Sequence, residues 1–224
     1  MNIDEYYLRF FSIYHKGIFM NINDFEKIYC INLARRQDRK SRCEEIFRHF
    51  NLNVTFVDAV DGHSLKNIGR LKAGAAGCCM SHRKIYEDIL NNSNINKALI
   101  LEDDVEFDPE LHHKFNKFYL EVPHDWNMLY LGGNHRNKPI AKVSKHVHRL
   151  KKTYTTHCYA VKRDALNMLL HRFSENVIFT MPADLHLAYL QKHMPCYGFY
   201  PHLAWQRADH SDIENQFKDY KHIR

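Results

Sequence analysis

The feature that most limits what this chain can become is an alternation of short apolar runs with amphipathic ones. Lys27-Ile-Tyr-Cys-Ile-Asn-Leu33 reads as a strand, after which Cys43, Ile46, Phe47 and Phe50 recur at the spacing of one helix face. Residues 53–60 read as a second strand closed by Asp61-Gly62, a dipeptide that turns readily. Gly74 to Leu90 reads as a helix with Cys78, Ile85, Ile89 and Leu90 as core positions. The Asn-rich loop 91–96 then leads into a buried strand, Lys97-Ala-Leu-Ile-Leu101. This order predicts an α/β fold, a mostly parallel central sheet flanked by helices. The second half is less regular. Strands are expected over 126–131 and 152–162, helices near Asp164–Leu170 and over Met181–Gln191, and extended chain over Cys196–Tyr200, with a polar tail of little periodicity. No repeat or linker divides residues 26–224, which read as one domain behind an aromatic-rich helical extension over 1–25.

Composition removes several classes of protein. With 45% hydrophobic and 13% aromatic residues among 224, the chain can pack a core and is not a disordered one. No apolar run reaches the roughly 18 residues of a membrane helix. Asp4 and Glu5 interrupt the amino terminus, a poor signal peptide, so a cytoplasmic location with at most peripheral membrane contact is expected. The six cysteines (Cys30, Cys43, Cys78, Cys79, Cys158, Cys196) show no CxxC spacing and fit buried free thiols better than a zinc site. Lys+Arg 32 against Asp+Glu 26 gives a net charge of +6, suited to an anionic ligand. The basic residues are dispersed, which argues against a nucleic-acid partner. GxGxxG, Walker A, HExxH and GxSxG motifs are all absent from the sequence. Dinucleotide oxidoreductases, P-loop NTPases, zincins and elbow-type hydrolases lose their main support.

Two segments carry chemistry. The buried strand ending at Leu101 runs straight into Glu102-Asp103-Asp104. In open α/β sheets ligands bind beyond the carboxyl ends of strands. Hard oxygen donors there suit Mg²⁺ or Mn²⁺ shared with phosphates. In extended chain Glu102 and Asp104 would share a side and Asp103 face away. Taken alone, the triplet also fits simple solvation of a strand exit. The second segment, Arg35-Arg36-Gln-Asp-Arg39-Lys40, follows the first strand and could meet phosphate oxygens at a helix start. A solvated helix start with Asp38 as local partner is the plainer alternative. His146-Val147-His148 would place both imidazoles on one strand face, and Lys142–Lys152 is a basic stretch; neither is distinctive.

At these residues the chain resembles glycosyltransferase family 25, the lipooligosaccharide and procollagen galactosyltransferases. The likeness rests on Ile31-Asn-Leu-Ala-Arg-Arg-Gln-Asp-Arg39, Val57-Asp-Ala-Val-Asp-Gly62, Gly77-Cys78 with Ser81-His82, and Leu101-Glu-Asp-Asp-Val105. Trp126-Asn-Met-Leu-Tyr-Leu-Gly132, Thr155-Thr-His-Cys-Tyr-Ala160, Pro182-Ala-Asp184 and Ser211-Asp-Ile213 follow in order. The resemblance implies a GT-A-like domain acting on a UDP-sugar donor, commonly UDP-galactose, with a divalent metal and inversion at the anomeric carbon. It implies Glu102 and Asp104 as Mn²⁺ (or Mg²⁺) ligands and Asp103 nearer the ribose or sugar. Asn32, Arg36 and Arg39 would line the nucleotide and diphosphate pocket, and Asp184 would act as general base. His186, His202 and His210 are candidates for a further metal ligand or acceptor contact. The acceptor would be a hydroxyl of a glycan, a lipid-linked sugar or a protein. One departure stands out: Ala75 follows Gly74 where family members usually carry Glu. A degenerate relative that binds a sugar nucleotide or glycan without turnover is therefore the alternative reading.

Overall fold

The computed structural model describes residues 20–135, 141–211, 213 and 216–219. Residues 1–19 of the expected aromatic-rich extension and Asp212 lie outside them. The first half follows the expected alternation: β1 (Lys27–Asn32), α1 (Gln37–His49), β2 (Thr55–Asp58), α2 (Ala73–Asn91) and β3 (Lys97–Glu102). A tight turn leads into β4 (Val105–Phe107), followed by α3 (Leu111–Tyr119), β5 (Met128–Tyr130), β6 (Asn134–His135) and β7 (Ala141–Lys142). Then come β8 (Val147–Arg149), β9 (Thr153–Tyr154), β10 (Cys158–Lys162), α4 (Leu166–Arg172) and α5 (Ala183–Leu190). The chain closes with β11 (Cys196–Phe199), β12 (Ala204–Gln206), β13 (Asp209–Ser211) and β14 (Gln216–Lys218).

Eight strands form the central sheet in the order β2-β1-β3-β10-β5-β11-β8-β7. β1 pairs parallel with β2 and β3, and β11 pairs parallel with β5. β10 is antiparallel to both β3 and β5, and β8 to both β11 and β7. All strands except β10 and β8 therefore point the same way, as the mostly parallel expectation required. The period-2 alternation of a strand buries both faces of this sheet. Ile28, Cys30, Leu99, Leu101, Cys158 and Ala160 face α1 and α3, through Cys43, Phe47, Leu111, Phe115 and Phe118. Their neighbours Tyr29, Ile31, Ala98, Ile100, Tyr159 and Val161 face α2, α4 and α5, through Ile85, Tyr86, Ile89, Leu166 and Leu187.

Three expectations are corrected. The strand read over 152–162 is broken at Thr155, whose φ of 75° is left-handed, so β9 and β10 belong to different sheets. Leu90 is 45% exposed rather than core, because the inward stripe of α2 passes through Ile85, Tyr86 and Ile89. The polar tail, read as having little periodicity, supplies β12, which pairs with β4, and a β13–β14 hairpin. No helix among the described residues is long and apolar enough to cross a membrane.

Candidate active site

β1 and β3 end side by side, with Ile31 in register with Glu102. Their carboxyl ends open into a cleft with about 940 Å³ of space continuous with solvent. One wall is the amino-terminal part of α2. Gly74, Gly77, Cys78, Ser81 and His82 line it at the i, i+3, i+4, i+7, i+8 spacing of a single helix face. Further along α2 the stripe turns apolar and joins the core. A backbone contact sets the approach of this wall. A Cβ on Gly62 would lie 1.6 Å from the Ala73 carbonyl oxygen, and one on Gly77 2.4 Å from the Val60 oxygen. The hydroxyl of Ser81 accepts from Val60 N (2.8 Å) and donates to Gly77 O (2.7 Å), tying the 59–62 loop to the helix. The opposite wall comes from Gln206, Arg207, Asp209, Ser211 and Ile213.

The acidic triplet does not lie in extended chain: Asp103 and Asp104 form the turn between β3 and β4, and each of the three carboxylates meets different partners. Glu102 Oε1 lies 3.2 Å from His82 Nε2 and accepts from the Thr156 hydroxyl at 2.5 Å. Burial opposes its charge, yet the His82 and Thr156 hydrogen bonds prevail and hold its carboxyl below the ordinary range. The network continues inward, with Tyr159 OH 2.7 Å from His82 Nδ1 and 2.6 Å from Tyr86 OH. An ionised carboxylate only accepts, so His82 Nε2 donates to it. In a neutral imidazole Nδ1 then accepts from Tyr159, which in turn accepts from Tyr86.

Asp103 is held by two of the residues expected to bind the donor. Asn32 Nδ2 donates to its Oδ2 at 2.8 Å and Arg39 Nη1 to its Oδ1 at 2.7 Å. Asp104 is different. Its Oδ2 accepts from Gln206 Nε2 at 3.1 Å, while its Oδ1 is buried with no hydrogen-bond partner among the described residues. Burial, with the neighbouring charges of Glu102 and Asp103, pushes its carboxyl up to about 7. A buried oxygen without a donor, beside two like charges, is a position that a cation would stabilise. The donor set at the turn therefore fits a hard divalent ion such as Mn²⁺ or Mg²⁺. A second set of ligand atoms, from Cys78, His82 and Glu102, lies within 4.8 Å of one another.

Arg36 donates to Asp38 through Nε (3.0 Å) and Nη2 (2.9 Å) and lies 3.8 Å from Asp209. Asp184 is in the first turn of α5, where its Oδ1 accepts from Leu185 N at 2.9 Å. Burial raises its pKa, and the charge of Glu102 adds to that rise. Of the three candidate histidines, His186 is buried, with Nε2 on Ile178 O at 3.0 Å and its ring on Phe173. His202 faces His135, with 3.0 Å between their Nε2 atoms, and His210 is exposed. The residues not foreseen as site groups are Thr156, Gln206, Arg207 and Asp209. They sit inside or just ahead of recognisable segments, Thr155-Thr-His and Ser211-Asp-Ile213, and only the folded chain brings them to the cleft.

A doubly covered, mostly parallel sheet with an acidic turn in the cleft at its strand ends defines a GT-A-like α/β domain. Residues 25–187 match the family described as glycosyltransferase family 25 (LPS biosynthesis protein), and the chain belongs to that family. Procollagen galactosyltransferase 2 of Mus musculus is 30% identical over 131 residues, 48% of this chain and 21% of its own length. The procollagen lysyl hydroxylase and glycosyltransferase of Acanthamoeba polyphaga mimivirus is 27% identical over 191 residues, 70% of this chain and 21% of its own. A Homo sapiens relative named inactive glycosyltransferase 25 family member 3 is 28% identical over 130 residues, 48% of this chain and 22% of its own. The chain thus spans about a fifth of the length of these relatives. In fold it resembles a glycosyltransferase involved in the glycosylation of the major capsid of PBCV-1. That likeness has a TM-score of 0.53 and 14% identity, covering 84% of this chain and 95% of the other.

Proposed function

We propose that this chain is a metal-dependent, inverting glycosyltransferase. It would move a hexose, galactose or else glucose, from a UDP-sugar to a hydroxyl of a glycan, a lipooligosaccharide or a collagen-like protein. The observation that carries the reading is the turn at 102–104, where Asp104 Oδ1 lacks a partner among the described residues in a cleft also lined by Arg39 and Arg207. Glu102 and Asp104 would hold Mn²⁺ or Mg²⁺, and the ion would offset the charge that develops on the departing diphosphate. Around it the chain's own groups set the geometry. Thr156 and His82 occupy one oxygen of Glu102 and fix the carboxylate's orientation. Asn32 and Arg39 hold Asp103, nearer the ribose or sugar. Arg36 and Arg39 bring positive charge towards the diphosphate.

Asp184 is assigned as the base. A carboxylate with a raised pKa accepts a proton from the acceptor hydroxyl more readily than an exposed one. It acts as the ring passes through an oxocarbenium-like state, the logic of inverting glycosidases with a hydroxyl in place of water. Release of UDP from UDP-galactose and UDP-glucose, with acceptor sugars, with Mn²⁺ and with EDTA, tests the proposal. Turnover that needs the metal supports it, and none with any donor sinks it. Ala75, where relatives usually carry Glu, favours a second reading in which the cleft binds the nucleotide without catalysis. Calorimetric UDP binding with no turnover would select that one.

A further inference from the structure

Three arginines converge on one oxygen at the mouth of the cleft. Arg207 Nη2 lies 3.0 Å, Arg39 Nε 3.2 Å and Arg36 Nη2 3.8 Å from Oδ2 of Asp209. Their side chains are 12%, 9% and 17% exposed, so water screens them poorly. Guanidinium groups this close repel one another, and only an anion among them offsets that repulsion. Asp38 takes Nε and Nη2 of Arg36 and Asp103 takes Nη1 of Arg39, and Asp209, the anion that all three share, offsets what remains incompletely. Among the described residues Arg207 Nη1 and Arg39 Nε are buried with no hydrogen-bond acceptor, although Arg39 Nε is within ion-pair range of the carboxylate. The other Asp209 oxygen accepts from His210 N at 2.7 Å, so the carboxylate is spread between its own backbone and the arginines. The cluster adjoins the acidic turn, because Arg207 N donates to Asp104 O at 2.8 Å. A site for a divalent cation next to a site with unfilled cationic donors matches the two ends of a metal-bound diphosphate.

We propose that Arg36, Arg39 and Arg207 form a phosphate cage whose resident anion in the free protein is the Asp209 carboxylate, and that a donor phosphate displaces it. Asp209 keeps the three cations assembled while the cleft is empty, and competes with the incoming phosphate. Arg207 becomes a donor-binding residue that no sequence motif announces. The inference rests on the sugar-nucleotide reading above and adds the competition to it.

Calorimetry with UDP, inorganic pyrophosphate and uridine, each with Mn²⁺, tests it. Arg207→Gln is expected to weaken UDP and pyrophosphate by about 10- to 100-fold and to leave uridine unchanged, the cost of one charge-assisted contact. Asp209→Asn is expected to tighten both phosphates by about 3- to 10-fold, because the competing charge is gone. Asp209→Glu, which keeps the charge, should stay near the wild-type values and checks that the hairpin still folds. A structural counter-ion behaves oppositely: Asp209→Asn would then loosen the arginines and weaken phosphate binding. That result, or an Arg207→Gln protein with unchanged UDP affinity, overturns the cage. Wild-type protein that binds pyrophosphate, with this response to Asp209→Asn, but gives UDP no advantage leaves the cage standing and removes the nucleotide donor. Binding of neither phosphate removes both.

Discussion

At the scale of single residues, the site is a set of carboxylates that the fold treats unequally. Glu102 has its donors, Asp103 is neutralised by Arg39, and Asp104 has one oxygen with none among the described residues. The same distinction separates residues that do chemistry from residues that hold them. Asp184→Asn removes the proposed proton acceptor and keeps the shape, so kcat is expected to fall by about 10²–10⁴ with UDP affinity unchanged. Steady-state kinetics beside calorimetry reads both. Tyr159→Phe acts through His82: it removes the donor to Nδ1 and leaves the buried Tyr86 hydroxyl without its partner. A loss of about 1–3 kcal/mol in urea-unfolding stability is expected. A fall of about 10- to 100-fold in Mn²⁺ affinity should accompany it, because His82, one of the two groups that hold the Glu102 carboxylate, loses its brace. The acidic triplet and the basic segment after β1 were legible in the sequence because each is contiguous. Arg207 and Asp209 were not, since only the pairing of β12 with β4 carries them to the cleft.

At the scale of elements, the decisive contact is between the 59–62 loop and the start of α2. Asp61-Gly62 reads in the sequence as a dipeptide that turns readily, but the structure needs the glycine for another reason. Asp61 caps a short 3-10 turn through His63 N, and Gly62 has no side chain because the Ala73 carbonyl fills the space a Cβ would take. The same holds at Gly77 against the Val60 carbonyl. Neither neighbour is a flexible side chain, so relief requires the helix or the loop to move. Gly62→Ala is expected to cost about 3 kcal/mol or more, and Gly77→Ala about 1–3 kcal/mol, by chemical denaturation. Because α2 forms the cleft wall through Gly74, Cys78 and His82, both variants should also weaken UDP binding while circular dichroism keeps its α/β shape. Strand and helix positions were readable from hydrophobic periodicity. The wall was not, because a close backbone approach leaves in the sequence only a glycine, a residue with many other uses.

At the scale of the whole molecule, the strand order exceeds what periodicity encodes. A reader of the sequence sees β10 as an apolar strand after β5, with nothing to say that it enters between β3 and β5 in the opposite sense. That insertion places His157, the residue ahead of β10, against the end of β3, where its carbonyl accepts from Glu102 N at 3.0 Å. Two opposed titrations then meet at the same strand ends. Burial lowers the His157 pKa to about 4, so from its unfolded value near 6.5 down to about 4 the unfolded chain binds the extra proton. Acidification through that window destabilises the fold. Asp104 works the other way. Its pKa of about 7 in the folded state means that the native protein takes up the proton between about 7 and its unfolded value near 3.9. Acidification there stabilises the fold, and Asp103 and Asp184, also raised, add to it, while His148 and His186, lowered, and the lowered carboxylates of Glu102, Glu121 and Asp209 side with His157. Removing one titration at a time uncovers the other. Relative to wild type, Asp104→Asn should lose stability on acidification and His157→Gln should gain it, each by up to about 1.4 kcal/mol per pH unit. Urea titrations at half-unit steps measure both slopes. Parallel curves for all three proteins would mean that neither group titrates differently in the folded and the unfolded chain.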